Sequence, residues 1–237
     1  MLEAARRFED EPDWPTVDRY RSLLGGRCPV DFRVAEPRGR GRARAGRRAA
    51  RISYDASICD ALTVPTRARS WHDLFNALVW GTFPRTKSAL HRRQHDARSA
   101  SAEPGRRTRE QDALALLDEG GVALLCEDSC WPAASAAVED RGPERIAPLS
   151  STARVLGVVY GHAIYEHLGC GGPTVRAMVH LVRCREVPRE PAACIALADD
   201  ALASALADPE SFIDPDLLRS LPVRPEVLGV PAVPDRP

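Results

Sequence analysis

The chain has 237 residues, 44% of them hydrophobic and 28% charged, with 33 basic residues balanced by 33 acidic ones. That is enough apolar material for a buried core, and a formal net charge of zero excludes a protein drawn to nucleic acid or membrane by its global charge. Seven cysteines, odd in number and scattered, fit free thiols in a reducing compartment better than a disulfide framework.

The opening residues, MLEAARRFEDEPDW, hold no apolar core of signal-peptide length, and no run approaches the ~18 apolar residues of a membrane span. A cytoplasmic protein with no membrane partner is therefore expected. Residues 1–36 offer a few anchors, Trp14, Tyr20, Leu23 and Leu24, and an extended run from Val30 to Val34. PRGRGRARAGRRAAR, residues 37–51, places seven arginines among glycine and alanine, which cannot build a core and reads as a mobile solvated loop. Spaced arginines also neutralise phosphates, so a nucleic-acid arm is the alternative, although no interleaved aromatics offer base stacking. Residues 1–51 are thus set apart as an N-terminal segment, and the core runs over 52–237.

VPTR, residues 64–67, reads as a turn into an apolar helix, SWHDLFNALVW, residues 70–80. Ser70 is its natural N-cap and Asp73 completes a capping box. Pro84 suits the first turn of a second helix over roughly 84–97. A polar link over 98–107 leads to a third, REQDALALLDE, closed by Gly120 and Gly121. VALLC is a short buried strand and 139–150 a loop rich in proline and charge. VLGVVYGHAIYEHL predicts a fourth helix over 152–168, with Gly157 and Gly161 allowing close packing. TVRAMVHLVRC alternates as a strand, a last amphipathic helix covers 190–207, and the Pro-rich tail wraps the surface. Cys126 and Cys130 are near neighbours, but their spacing matches no common zinc knuckle. The fold class predicted is α+β, mainly α: a helical domain with a few short strands.

Two of these apolar helices carry a histidine with an oxygen-bearing partner four residues on: His72 with Asn76, and His162 with Glu166. A buried ionised carboxylate is costly unless paired or metal-bound. A divalent metal held by His72, His162 and Glu166, with Asn76 or Asp73 in support, satisfies it; so does a plain hydrogen-bonded core pair. In the third helix Asp112 and Glu119 share a face and are candidate general bases, while Asp118 faces away. Arg85 and Lys87, the one lysine among 33 basic residues, stand at a helix start whose amides can also meet an anion. No dinucleotide loop, Walker lysine or G-x-S-x-G elbow is present.

VPTRARSWHDLFNALVWGTFPRTKSAL, then REQDALALLDEGGVAL, then VLGVVYGHAIYEHL and PEVLGVPAV together resemble a bacterial family, that of domain of unknown function 3025. The likeness runs from about Tyr54 to Val233, and WHDLFNALVW followed by FPRTK is its most specific part. It implies that His72, Asp73, Asn76, Arg85, Lys87, Asp112, Glu119 and His162 occupy motif positions, without assigning them a role. The chain departs from the pattern at 103–108 and in the arginine block. The leading expectation is a metal-assisted hydrolase for an anionic substrate, phosphorylated ones included: His72, His162 and Glu166 as ligands, Asp112 or Glu119 as base, Arg85, Lys87 and Asn76 at the substrate. The alternative is a non-catalytic ligand- or protein-binding module whose polar helix residues are structural.

Overall fold

The computed structural model describes residues 5–6, 8, 11, 13–26, 28–35, 54–101, 106–169, 176–222 and 224. The arginine block at 37–51 lies outside them. The chain divides into two compact units, Met1–Pro84 and Arg85–Pro237. The α+β, mainly α class read from the sequence is the class the structure has.

In the first unit a short helix α1 (Tyr20–Leu24) leads to strand β1 (Asp31–Val34), helix α2 (Tyr54–Ala61), strand β2 (Thr63–Thr66) and helix α3 (Trp71–Thr82). β1 and β2 pair in parallel, Phe32 opposite Val64, so VPTR is strand where the sequence reads as a turn. Tyr20, Phe32, Ile58, Val64, Leu74 and Leu78 form the core of this unit, and Trp14 Nε1 donates to the Tyr20 hydroxyl over 3.1 Å. Ser70 caps α3 as expected, accepting from the Asp73 amide over 3.3 Å. The Asp73 carboxylate is held by the Arg67 guanidinium, 2.6 Å away. Asn76, one turn on and buried, donates to the Tyr54 hydroxyl over 3.1 Å.

In the second unit α4 (Pro84–Ser99) and α5 (Arg109–Gly120) precede strand β3 (Gly121–Glu127). α6 (Trp131–Glu139), α7 (Pro143–Ser150), β4 (Val155–Val159), α8 (His162–Gly169), β5 (Arg176–Cys184), α9 (Pro191–Ala207) and β6 (Arg219–Pro222) follow. The sheet order is β4-β3-β5-β6. β3 is antiparallel to β4 and parallel to β5, and as a central strand covered on both faces it is apolar and buried from Gly121 to Cys126. One face packs Leu124, Cys126 and Val155 against Ala134, Val138 and Ile146 of α6 and α7. No helix among the described residues is long and apolar enough to cross a membrane.

Three expectations are corrected here. The run over 152–168 is not one helix: Val155–Val159 is a strand paired to β3, with Val159 opposite Val122 and Val155 opposite Cys126, and the helix starts only at His162. β-branched residues favour a pleated, covered surface, and an apolar run this short fits strand or helix by periodicity alone. The stretch over 139–150 contains α7, which Gly142 and Pro143 open and in which Ile146 is fully buried. Part of the proline-rich tail is strand β6, with Leu221 opposite Ala177 of β5.

Two ties fix α4 within its unit. The Asp199 carboxylate of α9 accepts from the amides of Arg85 (3.2 Å) and Thr86 (2.7 Å) and from the Thr86 hydroxyl (2.7 Å), so the first amides of α4 are met by an internal carboxylate. Arg93 binds the carbonyls of Asp208 (2.8 Å) and Pro209 (3.1 Å) beyond the end of α9 and Glu110 (2.7 Å) of α5.

Candidate functional site

The second unit brings Lys87, Asp118, Glu119 and His162 together where α5 ends and α8 begins. α5 closes on Asp118, Glu119 and Gly120, and the chain enters β3 at Gly121. The turn before α8 lies directly on this junction: the amides of Tyr160 and Gly161 both donate to the Gly121 carbonyl, over 3.1 and 2.9 Å. A Cβ at Gly161 would stand 2.3 Å from the Gly121 nitrogen and 2.7 Å from the Glu119 carbonyl oxygen. Only a residue without a side chain allows that approach, and it delivers His162, the next residue, onto Asp118 and Glu119. The close packing expected at Gly161 thus occurs, in a turn instead of a helix.

His162 is 3% exposed. Its Nδ1 lies 3.0 Å from the Asp118 carbonyl oxygen and 3.9 Å from the Asp118 carboxylate, and its Nε2 lies 3.3 Å from a Glu119 carboxylate oxygen. A carbonyl accepts only, so that contact is a hydrogen bond when Nδ1 carries a ring proton; in the neutral ring with its proton there, Nε2 presents a lone pair. Glu119 is about half exposed (48%) and connects this buried ring to solvent.

Behind the histidine stands a buried ion pair. Lys87 of α4 is fully buried, and its ammonium donates to Asp118 Oδ1 over 2.5 Å. Burial alone raises the Asp118 pKa, but the charges of Lys87, His162 and His91 and the Lys87 hydrogen bond outweigh it and hold the carboxyl well below the ordinary carboxylate range. The buried Tyr160 hydroxyl is pushed well above its usual pKa, first by burial and then by the Asp118 charge. In the unfolded chain Asp118 titrates near 3.9. Because its folded value is lower, the stability from its ionised form is fully present above about pH 4 and is lost as pH falls toward the folded pKa. Urea denaturation from about pH 5 to about pH 2 should show an acid limb of lost stability in the native chain, and Asp118→Asn should lack that component.

The family model described as Protein of unknown function (DUF3025) matches residues 43–236. The chain belongs to that family. No curated protein and no solved structure matches it. The DUF3025 match spans every residue of the cluster.

The other residues singled out from the sequence of this DUF3025 chain fall as follows. Glu166 is half-buried on α8, one turn beyond His162. Asp112 sits near the start of α5, about half exposed, 3.0 Å from Arg107. The Arg85 guanidinium is exposed and pairs with Asp200. The Lys87 ammonium is inside, on Asp118. His72 and Asn76 belong to the first unit; His72 is half-buried on α3. Burial raises the Asp73 pKa, but Arg67 and, less, the charge of His72 outweigh it and hold the carboxyl below its usual value. Sequence reasoning turned Asp118 away from the action, and this is corrected: Asp118 is the buried carboxylate of the cluster and Asp112 the exposed one. The signal was present, since Asp118 extends the ridge of buried Gln111 and Leu114 on α5.

Proposed function

We propose that the second unit is a metal-assisted hydrolase centre for an anionic substrate, with a divalent cation held between His162 and Glu119. The observation that carries this is the facing of two electron-rich atoms, Nε2 and a Glu119 oxygen, at 3.3 Å. A proton on Nε2 or a bound cation would join them. A charge-assisted N–H···O bond favours about 2.7–2.9 Å. Two ligand atoms ~2.1 Å from one tetrahedral metal stand about 3.4 Å apart, which the observed separation fits better. A histidine whose other nitrogen donates to a carbonyl is also the usual arrangement of a metal-binding imidazole.

Two protein ligands leave coordination positions for water and substrate. A cation held there would lower the pKa of bound water and polarise a phosphoryl or carbonyl oxygen. The Glu119 oxygen not on the cation would accept the water's proton, and the remaining charge of the cation would favour an anionic substrate such as a phosphate ester. A second reading is a binding module without catalysis, and the full burial of Lys87 on Asp118 favours it, because the ammonium expected at the anionic substrate is inside the fold.

Calorimetric titration of chelator-stripped protein with Zn²⁺ and Mn²⁺ tests the proposal, run beside hydrolysis of a chromogenic phosphate monoester. One saturable site is expected, weakened about tenfold or more by His162→Gln and by Glu119→Gln, with metal-dependent hydrolysis lost in both. Binding without hydrolysis of any ester would leave the module reading. Binding unchanged in both variants would remove His162 and Glu119 from the site.

A further inference from the structure

In its neutral form the His162 ring has one proton, and an acidic residue stands at each nitrogen. At Nδ1 stand the Asp118 carbonyl oxygen at 3.0 Å and the Asp118 carboxylate at 3.9 Å; at Nε2 stands the Glu119 carboxylate at 3.3 Å. The proton can serve only one of them. If it sits on Nε2, that nitrogen donates to Glu119 and is masked as a ligand. If it sits on Nδ1, Nε2 keeps its electron pair. The two sides are unequal. The Asp118 side chain is 14% exposed and Glu119 is 48% exposed, so water screens the pull of Glu119 far more than that of Asp118.

We propose that Asp118, pinned by Lys87, is the positioning residue that keeps the proton of the neutral His162 ring on Nδ1 and so keeps the electron pair on Nε2. Asp118 lies in the last turn of α5, where the helix dipole by itself opposes a carboxylate. The buried Lys87 ammonium, 2.5 Å away, counters that opposition and fixes the side chain. The use made of Nε2 rests on the metal reading above, but the placement of the proton does not. Lys87 and Asp118 touch neither cation nor substrate; they act through the imidazole.

The test is the ¹⁵N spectrum of His162 in metal-free protein at about pH 9, well above the ordinary imidazole pKa near 6.5. Its ring signals are identified among the six histidines by their loss in His162→Gln. The native ring should show its proton on Nδ1. Asp118→Asn should move a measurable fraction to Nε2. Since that variant strands a buried ammonium and can fail to fold, Lys87→Met/Asp118→Asn, which removes both charges, is measured with it and should show the same shift. Its Zn²⁺ affinity should fall about tenfold. A native proton on Nε2, or a tautomer unchanged in the double variant, overturns the inference. A native Nδ1 proton that shifts in the variants while no metal binds supports the positioning role and defeats the metal reading alone.

Discussion

Replacing Lys87 by methionine is expected to cost about 3–5 kcal/mol of folding stability, the usual result of stranding one partner of a buried ion pair. Lys87 is fully buried, and its contact with Asp118 joins α4 to α5. Without it the carboxylate remains at a helix end, shielded from water and facing the negative pole of the dipole. The charge, and not the packing, should dominate, because methionine reproduces much of the lysine stem. Lys87→Met/Asp118→Asn should therefore recover most of the loss, as neutral replacements of buried pairs do. Lys87→Arg keeps the charge but asks a fully enclosed site to take a larger planar head, and it should destabilise as well. Urea denaturation of the native chain, Lys87→Met, Asp118→Asn and the double variant gives the cycle. Additive losses in the double variant would mean that the two side chains stabilise the fold independently.

Gly161→Ala is the second large effect. Its Cβ would fall 2.3 Å from the Gly121 nitrogen, 2.7 Å from the Glu119 carbonyl oxygen and 2.7 Å from the Gly120 carbonyl carbon. All three are main-chain atoms, so no side chain can swing aside and the α5–β3 junction itself has to move. Overpacking a tight site costs about 1–3 kcal/mol, and with backbone on the other side the upper end or beyond is expected. The displaced backbone carries Glu119, and His162 directly follows Gly161. Any folded fraction should therefore bind metal more weakly than its stability alone suggests. Thermal melts with and without Zn²⁺ separate the two effects, since a bound cation raises the melting temperature only where its site survives. A folded Gly161→Ala protein with an undiminished metal-induced shift would mean that the junction tolerates the added atom.

Helix starts were legible because their signals are local. Ser70 before an apolar run and Pro84 at the head of α4 belong to chemistry that acts within one turn. The strand at Val155–Val159 was not legible, since what makes it a strand is its pairing with β3, more than 25 residues away in the chain. The same holds for the centre of the site. Lys87 and Asp118 are 31 residues apart and His162 and Asp118 are 44 apart, and no periodicity in either helix encodes the partner on the other. His162 and Glu119 could be chosen by residue type, because a histidine and a carboxylate on largely apolar helices call for an explanation. Asp118 could have been chosen from the buried ridge it extends. The Asp199 carboxylate at the start of α4 follows from tertiary packing alone.

The account turns on whether a cation belongs between His162 and Glu119. Crystals of protein stripped with a chelator and reloaded with Zn²⁺, with diffraction recorded at the zinc absorption edge, put the question most directly. The account predicts one strong anomalous peak within about 2.0–2.2 Å of both His162 Nε2 and a Glu119 carboxylate oxygen, absent from crystals of His162→Gln. Zinc located elsewhere on the chain, or none at this position while Nε2 and the carboxylate keep their 3.3 Å separation, would contradict it.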